Sequence, residues 1–422
     1  MRKNKVAGQN LQELSLSTGI ELSHMTLLSL LKFGGQTLLV EAIKAEISDY
    51  LGRGSYQHYK SDAEFKGYRH GTRRTTVDTP IGPMTFDRPR VNGAKDFQSQ
   101  FYKPHMKRPE EFASQICDMY VNGVSTRKIK KTLKSVAGEK LKLSKSTVSR
   151  ISKKLIQEFK DWKTRSLSDL KVSYLFFDAI RVGMRIGGQS QDAVMIAYAI
   201  LEDGSFTVLS IDISHSESNK SWGRFVSNLK SRGLSDPILC ISDGNQGIIN
   251  SIDSNFPTSL RQRCVKHKME NILDAIPKEN QAELRKSLNS IFYGATSLEQ
   301  AKLFIQKFRK QYAKKFPSAV SIFEKDLDQC LTYYIFPRSH WLKIRTSNKL
   351  ERLNLEIRRR LNVIGRHPSE ESCLALIYQV STNYSFPQQR VQVTELVKKL
   401  WDKIKADKQE MIQSLVLDLS AV

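Results

Sequence analysis

Asp178 closes the apolar run Tyr174-Leu175-Phe176-Phe177, and Asp243 follows Ile238-Leu239-Cys240-Ile241 with one serine between. A carboxylate at the end of a buried strand is costly unless a cation or metal compensates it. Two such acids on adjacent strands can share divalent metals, which prefer carboxylate oxygens. That is the arrangement two-metal phosphoryl transfer uses. Read singly, each aspartate is equally a turn residue, and Asp243 precedes Gly244. A third acid, Glu351, lies in Arg345-Thr-Ser-Asn-Lys-Leu-Glu-Arg-Leu-Asn354. There Asn348 suits a helix N-cap and Glu351 the capping-box position three residues on. The other reading is that the same helix start points a carboxylate at a metal site. Arg358 falls seven residues later on the same helix face. With Arg352, Arg359 and Arg360 it gives the helix a strongly basic character suited to phosphates.

Cys264 and His267 form a Cys-x-x-His pair. A structural zinc site needs four ligands and only two are paired here. The alternatives are a packed thiol with a histidine that orients the active site or a DNA phosphate, and an ordinary strand-end pair. Trp341, beside His340, is placed to stack on an unpaired base or to fill a core. Arg345 and Asn348 flank the glutamate as DNA contacts, although Asn348 also reads as a cap alone.

Elements must bring these residues together. Residues 21–51 read as two helices broken at Gly34-Gly35, 52–74 as a basic loop, and 75–79 with 84–91 as a strand pair around Pro80-Ile-Gly-Pro83. Residues 110–164 are helical in pattern and resemble a helix-turn-helix. Phe112, Ile116, Met119 and Tyr120 line the first helix, and Asn122-Gly123-Val124 makes a turn. Ser125 caps a second helix with Ile129 and Leu133 inward and Arg127, Lys128, Lys130 and Lys131 outward. Ser144 caps a third, with Val148, Ile151 and Leu155 inside and Lys145, Ser146, Ser149, Arg150 and Lys153 exposed. Short polar side chains and cations are what base edges and phosphates require; the plainer reading is a helical bundle with a solvated basic face. Next come strands at 173–177, 193–201 and 206–213, a helix at 220–229, a strand at 237–241, a helix through Ile248 and Ile252, and a strand at 260–265. Three consecutive strands followed by alternation make a mixed α/β sheet rather than a doubly wound one. Residues 268–335 are helical in pattern, a helix runs from Asn348 to about Val363, and an amphipathic helix spans 391–416. The implied division is 1–102, 103–168, 169–267, 268–338, 339–384 and 385–422.

Composition narrows the class. The chain has 422 residues, with 67 Lys and Arg against 43 Asp and Glu, a formal charge of +24. Such an excess favours polyanions, above all nucleic acid. It is concentrated at Lys103–Lys154 and again at Trp341–Arg366, around Glu351. The longest apolar run, Ala193–Leu201, is far short of the ~18 residues that span a bilayer. No signal-peptide core follows Arg2, Lys3 and Lys5. The five cysteines are scattered without a Cys-x-x-Cys, which points to a reducing compartment.

With these residues in place, the chain resembles the Mutator-type transposases of bacterial insertion sequences. The strongest motif is Phe336-Pro-Arg-Ser-His-Trp-Leu-Lys-Ile-Arg-Thr-Ser-Asn-Lys-Leu-Glu-Arg-Leu-Asn-Leu-Glu-Ile-Arg-Arg-Arg360, continued by Val363-Ile-Gly-Arg-His-Pro-Ser-Glu-Glu-Ser372. Phe177-Asp178, Ser242-Asp-Gly-Asn-Gln-Gly-Ile248 and Gln262-Arg-Cys-Val-Lys-His267 also match, as do Gly67-Tyr-Arg-His-Gly71 and Thr79-Pro-Ile-Gly82. The resemblance implies a ribonuclease-H-like core with Asp178, Asp243 and Glu351 as its catalytic acids. The all-helical insertion would lie between the second and third of them, and the family's basic residue past the glutamate would be Arg358. It implies Mg2+, with Mn2+ substituting, and double-stranded DNA as partner at transposon ends and target. It further implies a homodimer or larger assembly in the bacterial cytoplasm, associated with the nucleoid, and movement through a circular intermediate. The expected activity is metal-dependent strand cleavage and strand transfer. A ribonuclease-H-like nuclease and a catalytically silent, transposase-derived DNA-binding regulator are the other readings.

Overall fold

The computed structural model describes residues 26–57, 65–94, 96–103, 106–124, 126–137, 145–182, 192–214, 218–364, 369–384, 391 and 394–420. Within them, the side chains of 126–127, 136–137, 145–152, 182, 192, 348–350, 363–364, 396 and 409–420 are not described. The chain divides into two compact units, Met1–Tyr120 with Val124–Ile151, and Val121–Gly123 with Ser152–Val422.

In the first unit, α1 (Leu27–Leu51) is one helix, N-capped by Thr26. The expected break at Gly34-Gly35 does not occur. Each glycine costs about 1 kcal/mol against alanine, but tertiary packing outweighs that. Leu39, Val40, Ile43 and Ile47 pack on Val77, Phe86 and Tyr102, and a Cβ on Gly35 would sit 3.2 Å from the Met84 methyl. The hairpin beneath is β1 (Tyr68–Thr79) and β2 (Gly82–Asn92), joined through Pro80-Ile81. The turn needs Gly82 at φ +110°. β1 therefore takes in the end of the span read as a basic loop. Its first half is held by polar bonds that hydropathy does not register. The Arg69 guanidinium donates to the carbonyls of Arg53 and Gly54 and to Ser48 Oγ at 2.7–3.0 Å.

Three helices follow at the expected places, α2 (Glu110–Val121), α3 (Thr126–Ala137) and α4 (Lys145–Thr164). Phe112, Ile116, Tyr120, Ile129, Leu133 and Leu155 are buried, and Met119 is half-buried. Val148 and Ile151 lie outside the described side chains.

The second unit is built on a mixed five-stranded sheet of order β5-β4-β3-β6-β7. Its strands are β3 (Val172–Val182), β4 (Asp192–Leu201), β5 (Phe206–Ser214), β6 (Leu239–Ser242) and β7 (Leu260–Arg263). β3 is antiparallel to β4 and parallel to β6. Side chains alternate along β3. Leu175 and Phe177 join Trp222, Phe225 and Val226 of α5 (Asn219–Ser231) and Ile248 and Ile252 of α6 (Gln246–Asn255) in one core. Tyr174, Phe176 and Asp178 belong to the opposite face.

The expected strand at 260–265 stops at Arg263. Cys264 occupies the N-cap position of α7 (Val265–Asp274). The span 268–335 is helical throughout, as expected: α8 (Lys278–Asn289), a π-helical turn at Ser290–Gly294, α9 (Leu298–Tyr312), α10 (Pro317–Glu324), α11 (Leu327–Leu331) and a 3-10 turn at Thr332–Ile335. Then come α12 (Arg338–Ile344), α13 (Asn348–Ile364), α14 (Glu370–Asn383) and α15 (Glu395–Ser420). The last helix is part of the core. Trp401, 2% exposed, packs edge-on against Tyr174 at 5.6 Å and lies 6.4 Å from the His340 ring. The Tyr174 hydroxyl is 2.7 Å from His340 Nδ1. Trp401→Ala is expected to lower unfolding free energy by about 3–5 kcal/mol, read by urea denaturation; a loss below about 1 kcal/mol would mean that α15 is not core.

Candidate active site

β3 runs past Phe177 to Val182, so Asp178 lies within a strand and not at its end. Its antiparallel partner there is Ile196. The neighbour that does end is β6. The β3–β6 register pairs Tyr174 with Leu239 and Phe176 with Ile241. Two residues further on, the same parallel register sets Asp178 beside Asp243, just beyond the last rung, on the face opposite α5 and α6. The charge of Asp243 bears on the Asp178 carboxyl.

Asp178 is half-buried, and desolvation first of all pushes its carboxyl up to about 6. Asp243 adds to that rise, while His267, the Ala179 amide and Asn354 oppose it. The Ala179 N–H donates to Asp178 Oδ1 at 3.0 Å, and Asn354 Nδ2 donates to Oδ2 at 2.8 Å. The other end of that amide, Asn354 Oδ1, is buried without a hydrogen-bond partner. Asp243 Oδ1 accepts from the Asn245 amide at 3.1 Å, and Asn245 caps α6 through Gly247 N at 2.8 Å.

The helix α13 carries Glu351 and Asn354 one turn apart on one face. It begins at Asn348. The carbonyl of Ser347 accepts its first bond, from Glu351 N at 3.2 Å, so Ser347 holds the capping position. Asn348 is thus the first helical residue, and Glu351 falls one place beyond a capping-box glutamate. The Glu351 carboxylate is half-buried and paired with Lys266 Nζ. With that carboxylate turned to Lys266, no three His, Cys, Asp or Glu side chains converge to enclose a metal ion among the described residues. The structure therefore brings Asp178 and Asp243 together and joins the glutamate helix to them through Asn354.

His267 lies beside this pair. Contact with the Cys264 thiol, and then the charges of Asp178 and Asp243, favour its protonated form against the opposing effect of burial. Burial alone would raise the Cys264 thiol; His267 reverses this and lowers it. His267 Nδ1 is buried without a hydrogen-bond partner.

The remaining predicted residues take mixed positions. Trp341 packs on Tyr333 and Tyr334, at 5.6 and 4.7 Å, and its Nε1 donates to the Phe336 carbonyl at 2.7 Å. Arg345 turns toward the helical insertion, 4.3 Å above the Tyr293 ring and 3.2 Å from the Phe292 carbonyl. Arg352 and Arg358 are exposed on α13, whereas Arg360 pairs with Glu356 at 2.6 Å. Lys128 and Lys153 are exposed. The side chains of Arg127, Lys145, Ser146, Ser149, Arg150 and Asn348 lie outside those described. Sequence reasoning missed Asn354 and Lys266. Both were findable: Asn354 is three residues past Glu351 on the same helix face, and Lys266 adjoins His267 in a quoted motif.

The fold and the site define a mixed α/β protein with a half-buried carboxylate pair beside a basic helix. The chain belongs to the family described as "Transposase, Mutator family", whose sequence model matches residues 16–388; the protein is a transposase. It is 31% identical to the transposase for insertion sequence element ISRM5 of Rhizobium meliloti (strain 1021), over 81% of this chain and 84% of that protein. It is 30% identical to the transposase for IS406 of Burkholderia multivorans, over 81% and 86%. It is 27% identical to the transposase for IS256 in transposon Tn4001 of Staphylococcus aureus, over 81% and 86%. The Drosophila P element transposase strand transfer complex aligns at a TM-score of 0.28 and 11% identity, over 69% of this chain and 80% of that chain. No helix among the described residues is long and apolar enough to cross a membrane.

Proposed function

We propose that this transposase binds the inverted-repeat ends of its element and cuts and joins DNA strands at Asp178, Asp243 and Glu351 of a ribonuclease-H-like core. The observation that carries this reading is the β3–β6 register, which ends at Phe176–Ile241 and, continued two residues, aligns the two aspartates, while Asn354 of the Glu351 helix bonds Asp178. The donor set fits a hard divalent cation, Mg2+ with Mn2+ as substitute. It is all oxygen: two adjoining carboxylates and a buried, unpartnered amide oxygen. Asp178 and Asp243 would hold the ion, and Glu351 would join them on leaving Lys266. When bound, the cation activates the attacking oxygen and stabilises the leaving one.

The chain's own groups do the rest. Exposed Arg352 and Arg358 hold the phosphates flanking the scissile bond. His267 sets positive charge beside the aspartates. Water attacks the phosphodiester at the element's end, and the 3′ oxygen leaves as a hydroxyl. That hydroxyl then attacks a target phosphodiester and displaces the target's own 3′ oxygen. One P–O bond forms as another breaks, so no external energy source is needed. Helices α2–α4, in a helix-turn-helix, read the ends through exposed lysines such as Lys128 and Lys153. A homodimer or larger assembly pairs both ends.

The test is cleavage and joining by the purified full-length protein on duplex DNA bearing the element's ends. With Mg2+ a nick at the end and a joined product are expected, and both disappear with a chelator. End binding should weaken by about tenfold or more between 50 and 200 mM salt. Cleavage without joining would favour the nuclease instead.

A further inference from the structure

Gln262, Arg263 and Cys264, which open the motif Gln262–His267, have no role in the chemistry above, yet each bonds to something distant in sequence. The motif adjoins β6, the strand that leads to Asp243. Ser242 pairs with Arg263 in the last rung of β6–β7, and Cys264 N donates to the Ser242 carbonyl at 2.7 Å. From there the segment reaches downstream. Gln262 accepts from Tyr333 N at 2.8 Å and donates to the Cys330 carbonyl at 3.1 Å. The Arg263 side chain, 8% exposed, donates to Asp326 at 2.6 Å. It crosses directly over Gly244, where a Cβ would lie 2.4 Å from its Cζ. Cys264 Sγ receives Ser347 N at 3.5 Å, and Val265 N donates to the Arg345 carbonyl at 2.9 Å.

We infer that Arg263 and Cys264 are positioning residues, the first holding Asp243 through Gly244 and the second fixing where the Glu351 helix starts. This rests on the reading of Asp243 and Glu351 as catalytic acids. The physical need is plain. Glu351 returns to the sheet only after the helical insertion, and each residue of slip at the start of α13 turns its carboxylate by about 100°. A hydrogen bond to the Ser347 amide, at the capping position, blocks that slip. The Arg263–Asp326 pair ties the end of the insertion to the residue that follows Asp243.

Two readouts on the full-length protein test this. Hydrogen exchange, measured without DNA or metal, reports the geometry; strand cleavage reports its use. In Cys264→Ala the amides of 347–352 should exchange up to about tenfold faster, as expected for one lost hydrogen bond, while 68–92 stay unchanged. The cleavage kcat should fall by about tenfold or more with the KM for end-bearing DNA within about twofold, and Cys264→Ser should recover much of both. Asp326→Asn weakens the Arg263 pair from its more exposed side and should speed exchange at 243–247; it serves where Arg263→Leu does not fold. Unchanged exchange at 347–352 in Cys264→Ala, or a rise spread evenly over the chain, would overturn the inference. If Asp178→Asn still cleaved DNA, the catalytic reading would fail while the exchange result stood by itself.

Discussion

Asp178→Asn is expected to leave a protein that binds DNA, cuts none of it, and unfolds at a higher temperature than the parent. The stability gain follows from burial. Folding raises the Asp178 carboxyl from its model-peptide value of 3.8 to about 6. A raised acid binds its proton more tightly when folded. Its contribution is therefore fully present below 3.8 and is lost as pH rises through about 6. At pH 7 the charged group costs about 3 kcal/mol relative to the unfolded chain. The neutral amide removes that penalty. It still accepts from Ala179; the Asn354 amide turns over, exchanging its bond from Nδ2 for one in which its orphaned oxygen accepts from the new N–H. Calorimetry in chelator at pH 7 should show a midpoint higher by several degrees, on the order of 2 °C per kcal/mol, with the difference shrinking toward pH 4. A lower midpoint at pH 7 would contradict it. Cleavage should fall by about 10³-fold or more, because the lost carboxylate is charge stabilisation that water cannot replace. A site whose working residue weakens the fold is what a stability–activity trade-off looks like at one side chain.

The sheet was legible because buried strands leave long apolar runs. Phe177 and Ile241 announce their strands, and the insertion shows its helical period. Errors fell where polar bonds or long-range packing replace hydropathy. Arg69 holds half a strand in a span that reads as a basic loop, and α1 passes through two glycines because a hairpin supports it. The strand of Asp178 continues because β4 outlasts β6, which only pairing reveals. The two aspartates could be singled out by context. Their adjacency needed the register; helix period and the Cys-x-x-His motif mark Asn354 and Lys266, but the bonds of Asn354 to Asp178 and of Lys266 to Glu351 needed the tertiary fold. The C-terminal helix was correctly seen as amphipathic, but nothing in its own sequence says that Trp401 meets Tyr174.

Glu351→Gln is expected to lose as much activity as Asp178→Asn, about 10³-fold, with almost no change in stability. The two acids serve one proposed site in different surroundings. Asp178 is desolvated and close to another carboxylate, so its charge opposes folding. Glu351 has a cation beside it in Lys266, and the two side chains are 28% and 37% exposed. A pair so open to solvent contributes at most about 1 kcal/mol. The glutamine keeps the shape, and the cap of α13 belongs to Ser347 and not to position 351, so the helix start survives. Equal midpoints by calorimetry, an unchanged DNA-binding curve and absent cleavage together are the expected pattern. A drop of about 2 kcal/mol or more would assign Glu351 a structural role instead. Retained cleavage would remove it from the chemistry, leaving its helix to serve the two aspartates through Asn354 alone.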